Sequence, residues 1–289
     1  MKINTNHFRV LPGKKVKLAQ WPTLVKPFCK TKEEYENLLG KNREELGALQ
    51  ELHYACDRYA LLLIFQGMDS AGKDGAIAHV MSGVNPQGCE VSSFKQPSAD
   101  ELKHDFLWRA TCRLPGRGKI GIFNRSYYEE VLVVRVHPEL LRNEGLADEM
   151  KDPKTLWEER YRSIVDLEKH LYRNRTRIVK IFLHLSKEEQ RKRFLARIDD
   201  AGKNWKFSLA DIQERQYWHD YEKAYGDCLQ ATSTHQAPWY VVPADDKKNA
   251  RLIIARIVLD ALEDLKLTHP KTTAKHRAEL LAIRKQLTK

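Results

Sequence analysis

Short apolar runs alternate with amphipathic stretches along most of the chain. Ala60–Phe65 is a continuous apolar run, which is typical of a strand buried on both faces of a parallel sheet. Four later segments predict further strands with their exit loops: Glu90–Phe94, Lys119–Ser126, Arg177–Leu185 and Pro238–Asp246. Strands that alternate with helices predict an α/β fold, in which a parallel sheet carries helices on both faces.

Helical periodicity fills the stretches between these strands. Thr31 and Glu34 form a capping-box pair ahead of a leucine stripe, and the same signature opens segments at Ser98 and Ser186. Residues 1–30 are irregular. The predicted helices cover 31–59, 73–82, 98–113, 153–173, 186–200, 208–229 and 248–265, and a basic helical tail follows Pro270.

The charge balance indicates a polyanionic partner. The chain has 289 residues and carries 50 Lys and Arg against 39 Asp and Glu, for a formal net charge of +11. That excess suits nucleic acid, an anionic membrane surface or a phosphate-rich substrate. The alternative is a basic protein with no special partner.

The cysteines and the N-terminal sequence indicate the cellular compartment. The five cysteines are scattered and form no CxxC pair, so neither a disulfide framework nor a zinc site is indicated. The N-terminus lacks the apolar core of a signal peptide, and no apolar run is long enough to span a bilayer. We therefore expect a cytoplasmic protein that has no membrane partner.

A glycine-bracketed loop, GMDSAGKDG at Gly67–Gly75, follows the first predicted strand and opens a helix. Gly72 and Lys73 complete a match to GxxxxGK, a loop whose backbone N–H groups cradle phosphates. Asp74 replaces the usual hydroxyl, and Asp69 adds a second acid. Because two carboxylates would repel a bound polyanion unless a cation intervened, we expect Asp69 to bind metal or orient the acceptor. Asp74 is either a metal ligand or a first-turn acid that favours the helix dipole.

Polar residues end the third predicted strand, where an acid would make a Walker B site. Asn124 stands in that place and could bind a metal through its carbonyl, and Arg125 follows it. Arg125 is placed to face phosphates at the end of the strand. Glu129 and Glu130 come next on what we expect to be an exposed side, where they either contact the acceptor or are merely solvated.

Basic side chains follow the second and fourth predicted strands. Arg193 and Arg197 share a helix face, and Lys203 and Lys206 lie on the polar loop beyond. This arrangement predicts a lid that closes over phosphates and excludes water, and the alternative is a solvated basic helix. Cations after the second strand could line a polyanion channel: Lys95, Arg109, Arg113 and Arg117.

Taken together, these motifs resemble the polyphosphate kinase 2 family. The match rests on GMDSAGKDG, SFKQPS, HDFLWR, LPGRGKIGIFNRSYYEEVLVVRVHPE, RFLARIDDAGKNWKFS and VVPADDKKNAR, in order through residues 31–265. The resemblance implies a P-loop kinase-like fold, a three-layer α/β/α domain with a five-stranded parallel sheet and a helical lid. It also implies Mg²⁺ or Mn²⁺ dependence, phosphoryl transfer between inorganic polyphosphate and nucleoside mono- or diphosphates, and a homo-oligomer, either a dimer or a tetramer.

The resemblance, with the residue patterns above, gives each site residue an expected role. The expected catalytic residues are Asp69, Lys73, Arg125 and Arg193. The expected phosphate contacts are Gly67, Ala71, Gly72, Lys73, Asp74, Gly75, Lys95, Arg109, Arg113, Arg197, Lys203 and Lys206. The acceptor nucleotide would meet Asn124, Arg125, Glu129 and Glu130, and the metal would meet Asp69 and Asn124. The FNRSxYEEVLVVRVHPE pattern resembles the branch that acts on both AMP and ADP.

We expect one P-loop kinase-like domain over residues 1–289. Residues 1–58 form an N-terminal extension with helices, about 186–210 the lid, and 266–289 a basic C-terminal tail. The expected reaction is reversible, converts AMP to ADP or ADP to ATP, and extends to guanine nucleotides. Three other functions remain: an ATP-dependent nucleoside-monophosphate kinase, a nucleic-acid-binding module and a catalytically silent interaction protein. The P-loop and the lack of a nucleic-acid motif count against nucleic acid as a partner.

Overall fold

Five parallel strands form the single sheet of the computed structural model, which describes residues 3–146, 152–202 and 204–288. The strands are β1 (Ala60–Gln66), β2 (Cys89–Ser93), β3 (Ile120–Asn124), β4 (Thr176–His184) and β5 (Trp239–Pro243). Their order is β2-β3-β1-β4-β5, with every neighbouring pair parallel. The predicted strands are confirmed, and β1 lies at the centre of the sheet, so the loop after it emerges at the middle of the carboxyl edge.

Ten α-helices are present within the described part of the chain. They are α1 (Lys32–Cys56), α2 (Lys73–Val80), α3 (Trp108–Thr111), α4 (Glu129–Val136), α5 (Pro153–Arg173), α6 (Lys187–Asp199), α7 (Leu209–Glu214), α8 (Trp218–Thr232), α9 (Lys247–Glu263) and α10 (Ala274–Leu287). Helices α1, α2 and α9 pack on one face of the sheet, and α4, α5 and α8 on the other. This is the three-layer architecture that the alternating pattern predicted. No helix among the described residues combines the length and apolar character needed to cross a membrane.

The central strand is buried on both faces because it lies between these two helical layers. Leu61, Leu63 and Phe65 join the core under α1, α2 and α9, while Leu62 and Ile64 join the opposite core. All five side chains are fully buried. The continuous apolar run of β1 is therefore the direct consequence of a two-sided core, since successive strand residues point to opposite faces.

The helix predicted over residues 98–113 is wrong. Ser98 and Glu101 do make the reciprocal capping bonds, with N–O distances of 3.2 and 2.7 Å. A single 3₁₀ turn follows, Glu101–Lys103, because His104 has an extended backbone conformation. The carboxylate of Asp105 then accepts a hydrogen bond from the N–H of Leu107 and starts a separate turn, which leads into the four-residue α3.

A charged network lies inside the core between β4 and α5. The ammonium of Lys180 is 2.6 Å from a carboxylate oxygen of Glu168 and also donates to the carbonyl of Thr232. The hydroxyls of Tyr127 and Tyr128 donate to the other Glu168 oxygen at 3.0 and 2.8 Å. Lys180 and Glu168 are almost fully buried, so each charge depends on the other for compensation.

Candidate active site

The phosphate-binding loop runs from the end of β1 into the first turn of α2. A Cβ on Gly67 would lie 3.0 Å from the Cβ of Ala71 and 3.1 Å from the carbonyl oxygen of Leu183. Gly72, at the start of α2, has φ +99°, a conformation that side chains other than glycine rarely adopt. The two glycines of the motif are therefore required by crowding at one position and by backbone conformation at the other.

Lys73 lies within this loop and is buried. Its ammonium donates to the carbonyl oxygen of Gly67 at 2.5 Å and approaches that of Met68 at 3.4 Å. Burial lowers the pKa of the Lys73 ammonium, and the nearby carboxylate of Asp69 opposes that shift. The loop thus holds a poorly solvated cation that would gain from a phosphate beside it.

Two carboxylates and a guanidinium lie together beside the loop. A guanidinium nitrogen of Arg125 is 3.5 Å from the Asp69 carboxylate, and another is 3.9 Å from that of Glu129. Burial raises the pKa of Glu129, although Arg125 and Lys73 act in the opposite direction. The expectation that Glu129 and Glu130 are exposed is wrong, because both lie in the first turn of α4 with little exposed side-chain area.

Arg125 itself has φ +64°, which places a residue other than glycine in the left-handed region. Its N–H donates to the carbonyl of Phe65, so the chain turns sharply where β3 ends beside β1. Such a conformation costs of order 1–3 kcal/mol and is maintained by its surroundings. The turn places the guanidinium between the acids of two different loops.

The role of this conformation can be separated from that of the side chain. We expect Arg125→Ala and Arg125→Gly to lower kcat equally, by about a hundredfold, the order seen when a preorganised donor is removed. The glycine variant should be the more stable by about 1 kcal/mol, since glycine adopts positive φ without steric cost. Steady-state kinetics and urea unfolding of both variants check these outcomes. Wild-type kcat in either variant would show that the side chain of Arg125 takes no part in the reaction.

Asn124 and Asp74 connect the end of β3 to α2. The side-chain amide nitrogen of Asn124 lies 2.7 Å from a carboxylate oxygen of Asp74. A carboxylate only accepts, so the nitrogen of the amide must face it. The amide nitrogen thus holds the Asp74 carboxylate in place, and the carbonyl oxygen of the same amide, the atom predicted to bind metal, is not engaged by this bond.

Helix α6 contacts the loop through its buried side chains. The Arg193 guanidinium donates to the carbonyls of Ser70 and Ala71 at 3.0 and 3.1 Å and to those of Ala244 and Asp245 at 2.6 and 3.1 Å. Its Nε donates to Glu189 at 2.9 Å, so all five donors have protein partners.

The side chain of Gln190 adds a bond to the carbonyl of Asp69 at 2.9 Å. Arg193, predicted as a catalytic residue of the lid, therefore ties the loop to the end of β5 in this structure. Arg197 is half-buried on the same helix. Lys203 lies outside the described residues, as does the side chain of Lys206.

Arg109 belongs to a second buried charge cluster. It is paired with Glu130 at 3.3 Å and donates to the carbonyl of Lys95 at 2.7 Å. Arg160 and Glu144 complete the cluster. Burial and the charge of Glu144 raise the pKa of Glu130 to about 7. These partners occupy Arg109 within the protein, whereas the side chains of Lys95 and Arg113, predicted with it to line a polyanion channel, are exposed.

A cavity of about 170 Å³ opens beside the cluster of Asp69, Arg125 and Glu129. Its walls include Asp69, Arg125, Glu129, Trp218, Tyr221 and Tyr225. The three aromatic residues come from α8, a stretch that the sequence predicted only to be helical. Their spacing of three and four residues, which puts them on one helix face, was the signal available.

The fold and the loop define a P-loop phosphotransferase, in which a buried lysine and a cluster of charged side chains meet at the carboxyl edge of a parallel sheet. The chain matches the sequence model for Polyphosphate kinase 2 (PPK2) over residues 29–270. It therefore belongs to the polyphosphate kinase 2 family.

Similar proteins agree with this assignment. An ADP-polyphosphate phosphotransferase of Rhodopseudomonas palustris is 61% identical over 289 residues, which cover both chains completely. An AMP/ADP-polyphosphate phosphotransferase of Meiothermus ruber is 39% identical over 91% of this chain and 95% of its own. The crystal structure of polyphosphate kinase 2 from Arthrobacter aurescens TC1 superposes with a TM-score of 0.84 at 41% identity, over 95% of each chain. The resemblance and the fold predicted from the sequence are thus confirmed.

Proposed function

We propose that the protein transfers phosphoryl groups reversibly between inorganic polyphosphate and nucleotides, converting ADP to ATP and AMP to ADP. The observation that carries this proposal is the buried Lys73 of the loop, beside the Asp69–Arg125–Glu129 cluster and an aromatic-lined cavity. The names of the relatives from R. palustris and M. ruber support polyphosphate and adenine nucleotides as the substrates.

The chemistry requires positioning and charge neutralisation rather than a covalent intermediate. The terminal phosphoryl group of polyphosphate would lie against Lys73 and the loop amides. A terminal phosphate oxygen of the nucleotide forms the new P–O bond while the bond to the adjacent bridging oxygen breaks. The polyphosphate leaves one unit shorter, and its new terminal oxygen keeps the electron pair. Arg125 would neutralise charge on the transferred group.

The residues present fit a divalent cation of the kinase type. Among the described residues no group of three or more His, Cys, Asp or Glu side chains could hold a metal. Mg²⁺ in kinase sites needs only one or two carboxylates, because substrate phosphates and waters complete its shell. We assign Asp69 and Asp74 as those carboxylates, with Asn124 orienting Asp74. Bound Mg²⁺ would offset the charge of the transferring phosphates.

The aromatic-lined cavity is the proposed acceptor site. At about 170 Å³ it is smaller than the roughly 300–1,000 Å³ of pockets that take a whole drug-sized ligand. It suits part of a nucleotide, with the base against the α8 aromatics and the phosphates toward Arg125. We also propose, as predicted from the sequence, that the protein is a homo-oligomer and that it is located in the cytoplasm.

Donor exchange separates this function from an ATP-dependent nucleoside-monophosphate kinase. With Mg²⁺ and long-chain polyphosphate, ADP should yield ATP and AMP should yield ADP, as read by chromatographic separation of nucleotides. ATP in place of polyphosphate should phosphorylate AMP poorly, and chelation by EDTA should stop all transfer. Fast AMP phosphorylation from ATP with none from polyphosphate would establish the alternative enzyme.

A further inference from the structure

We propose that Arg251, supported by Lys248, selects polyphosphate as the donor by binding the phosphate that lies beyond the P-loop. The inference rests on the proposed function. Its starting point is Gly75, in the first turn of α2, where a Cβ would lie 3.7 Å from a guanidinium nitrogen of Arg251. Gly75 follows Lys73 by two residues, so this arginine of α9 lies next to the amides that end the phosphate cradle.

A buried tyrosine contacts both cations. Arg251 donates to the hydroxyl of Tyr35 at 3.5 Å, and the Lys248 ammonium lies 5.5 Å from the centre of the Tyr35 ring. Tyr35 is 7% exposed and belongs to α1, so the two cations rest on a fixed support. Neither Arg251 nor Lys248 forms an ion pair with any acid in the described part of the chain. Arg251 thus presents a guanidinium without a carboxylate partner beside the loop.

The order of phosphates along a P-loop indicates which phosphate of the donor would lie near Arg251. The lysine reaches the outermost phosphates of the donor, and the loop amides cradle the inner ones. In a nucleoside triphosphate, a neutral ribose follows the third phosphate. In polyphosphate another anionic phosphate follows it. A cation placed after the last cradle amides therefore favours polyphosphate over ATP, because only polyphosphate puts a charge there.

The experiment compares two ligands of the same site. Long-chain polyphosphate extends past the P-loop, whereas tripolyphosphate ends within it. We measure KM for long-chain polyphosphate, the competitive inhibition constant of tripolyphosphate, and KM and kcat for ADP. In Arg251→Ala, KM for long-chain polyphosphate should rise about tenfold, as expected for the loss of one charge-assisted contact. The tripolyphosphate constant should change less than about twofold, and the ADP parameters should stay constant.

Three further variants make the result decisive. Arg251→Lys should recover most of the lost affinity, and Lys248→Ala should raise the same KM by a smaller factor. Arg277→Ala removes an equal charge from α10, which is exposed along its whole length, and should change nothing. Lys248→Ala also tests the proposal if Arg251→Ala fails to fold.

Equal weakening of both ligands, or an unchanged KM in Arg251→Ala and Lys248→Ala, would overturn the inference while leaving the proposed function intact. Failure of the proposed function has a different signature, because the wild-type protein would then form no nucleotide from polyphosphate at all.

Discussion

Lys73→Met lowers kcat for transfer from polyphosphate by about a thousandfold or more, which corresponds to about 4 kcal/mol of lost transition-state stabilisation. Lys73 supplies the one full positive charge within the loop, and methionine preserves its length without that charge. Stability should change far less than kcat, because methionine keeps the apolar stem of Lys73 and burial disfavours the charge that is removed. Steady-state kinetics and urea unfolding of the same preparation give both quantities.

Lys275→Met is the matched control for this experiment. It makes the same substitution on α10, where the side chain is exposed and distant in sequence from the loop. The control should retain wild-type kcat and stability. A Lys73→Met protein that is folded and still transfers phosphoryl groups at more than about a tenth of the wild-type rate would show that the reaction occurs elsewhere.

Lys180→Met lowers the free energy of unfolding by about 3–5 kcal/mol, since it leaves the Glu168 carboxylate buried without a cation. The two tyrosine hydroxyls would still donate to Glu168 but would not neutralise it. Replacing both members, in Lys180→Met with Glu168→Leu, should recover a large part of the loss, because no uncompensated charge then remains. Urea unfolding of the single and double variants measures the difference.

An exposed ion pair provides the comparison for Lys180. Lys154 and Glu158 lie 3.9 Å apart on the surface of α5, one helical turn from each other. Lys154→Met should change stability by less than about 0.5 kcal/mol. If Lys180→Met cost no more than Lys154→Met, the buried network would contribute nothing particular to the fold.

Much of the fold could be predicted because its signals are local. The apolar run of β1 reflects burial on both faces, and the capping residues Thr31 and Ser186 begin helices where expected. The glycines and the lysine of the phosphate-binding loop lie within a few residues of one another, so the loop can be recognised from the sequence alone. In the site, this local pattern correctly placed Asp69 and Lys73 in one loop and brought Arg125 to the same edge of the sheet.

The remaining features depend on contacts between distant parts of the chain. The capping pair at Ser98 predicted a helix, but the extended backbone of His104 breaks it after one turn. Glu130 reads as a surface acid in the sequence, and only the fold brings Arg109 and Arg160 against it. The local sequence placed Arg193 on a basic helix, but only the fold shows that it meets loop carbonyls more than a hundred residues earlier in the chain.

The most direct test of transfer at the phosphate-binding loop follows the phosphoryl group itself. Polyphosphate labelled with ³²P is incubated with unlabelled ADP and Mg²⁺, and the label is traced by separating nucleotides from orthophosphate. Label is expected in the terminal phosphate of ATP, in amounts equal to the units lost from polyphosphate, and at a rate about a thousandfold lower with Lys73→Met. Label that appeared only as orthophosphate, or ATP formed equally well by Lys73→Met, would contradict transfer at this loop.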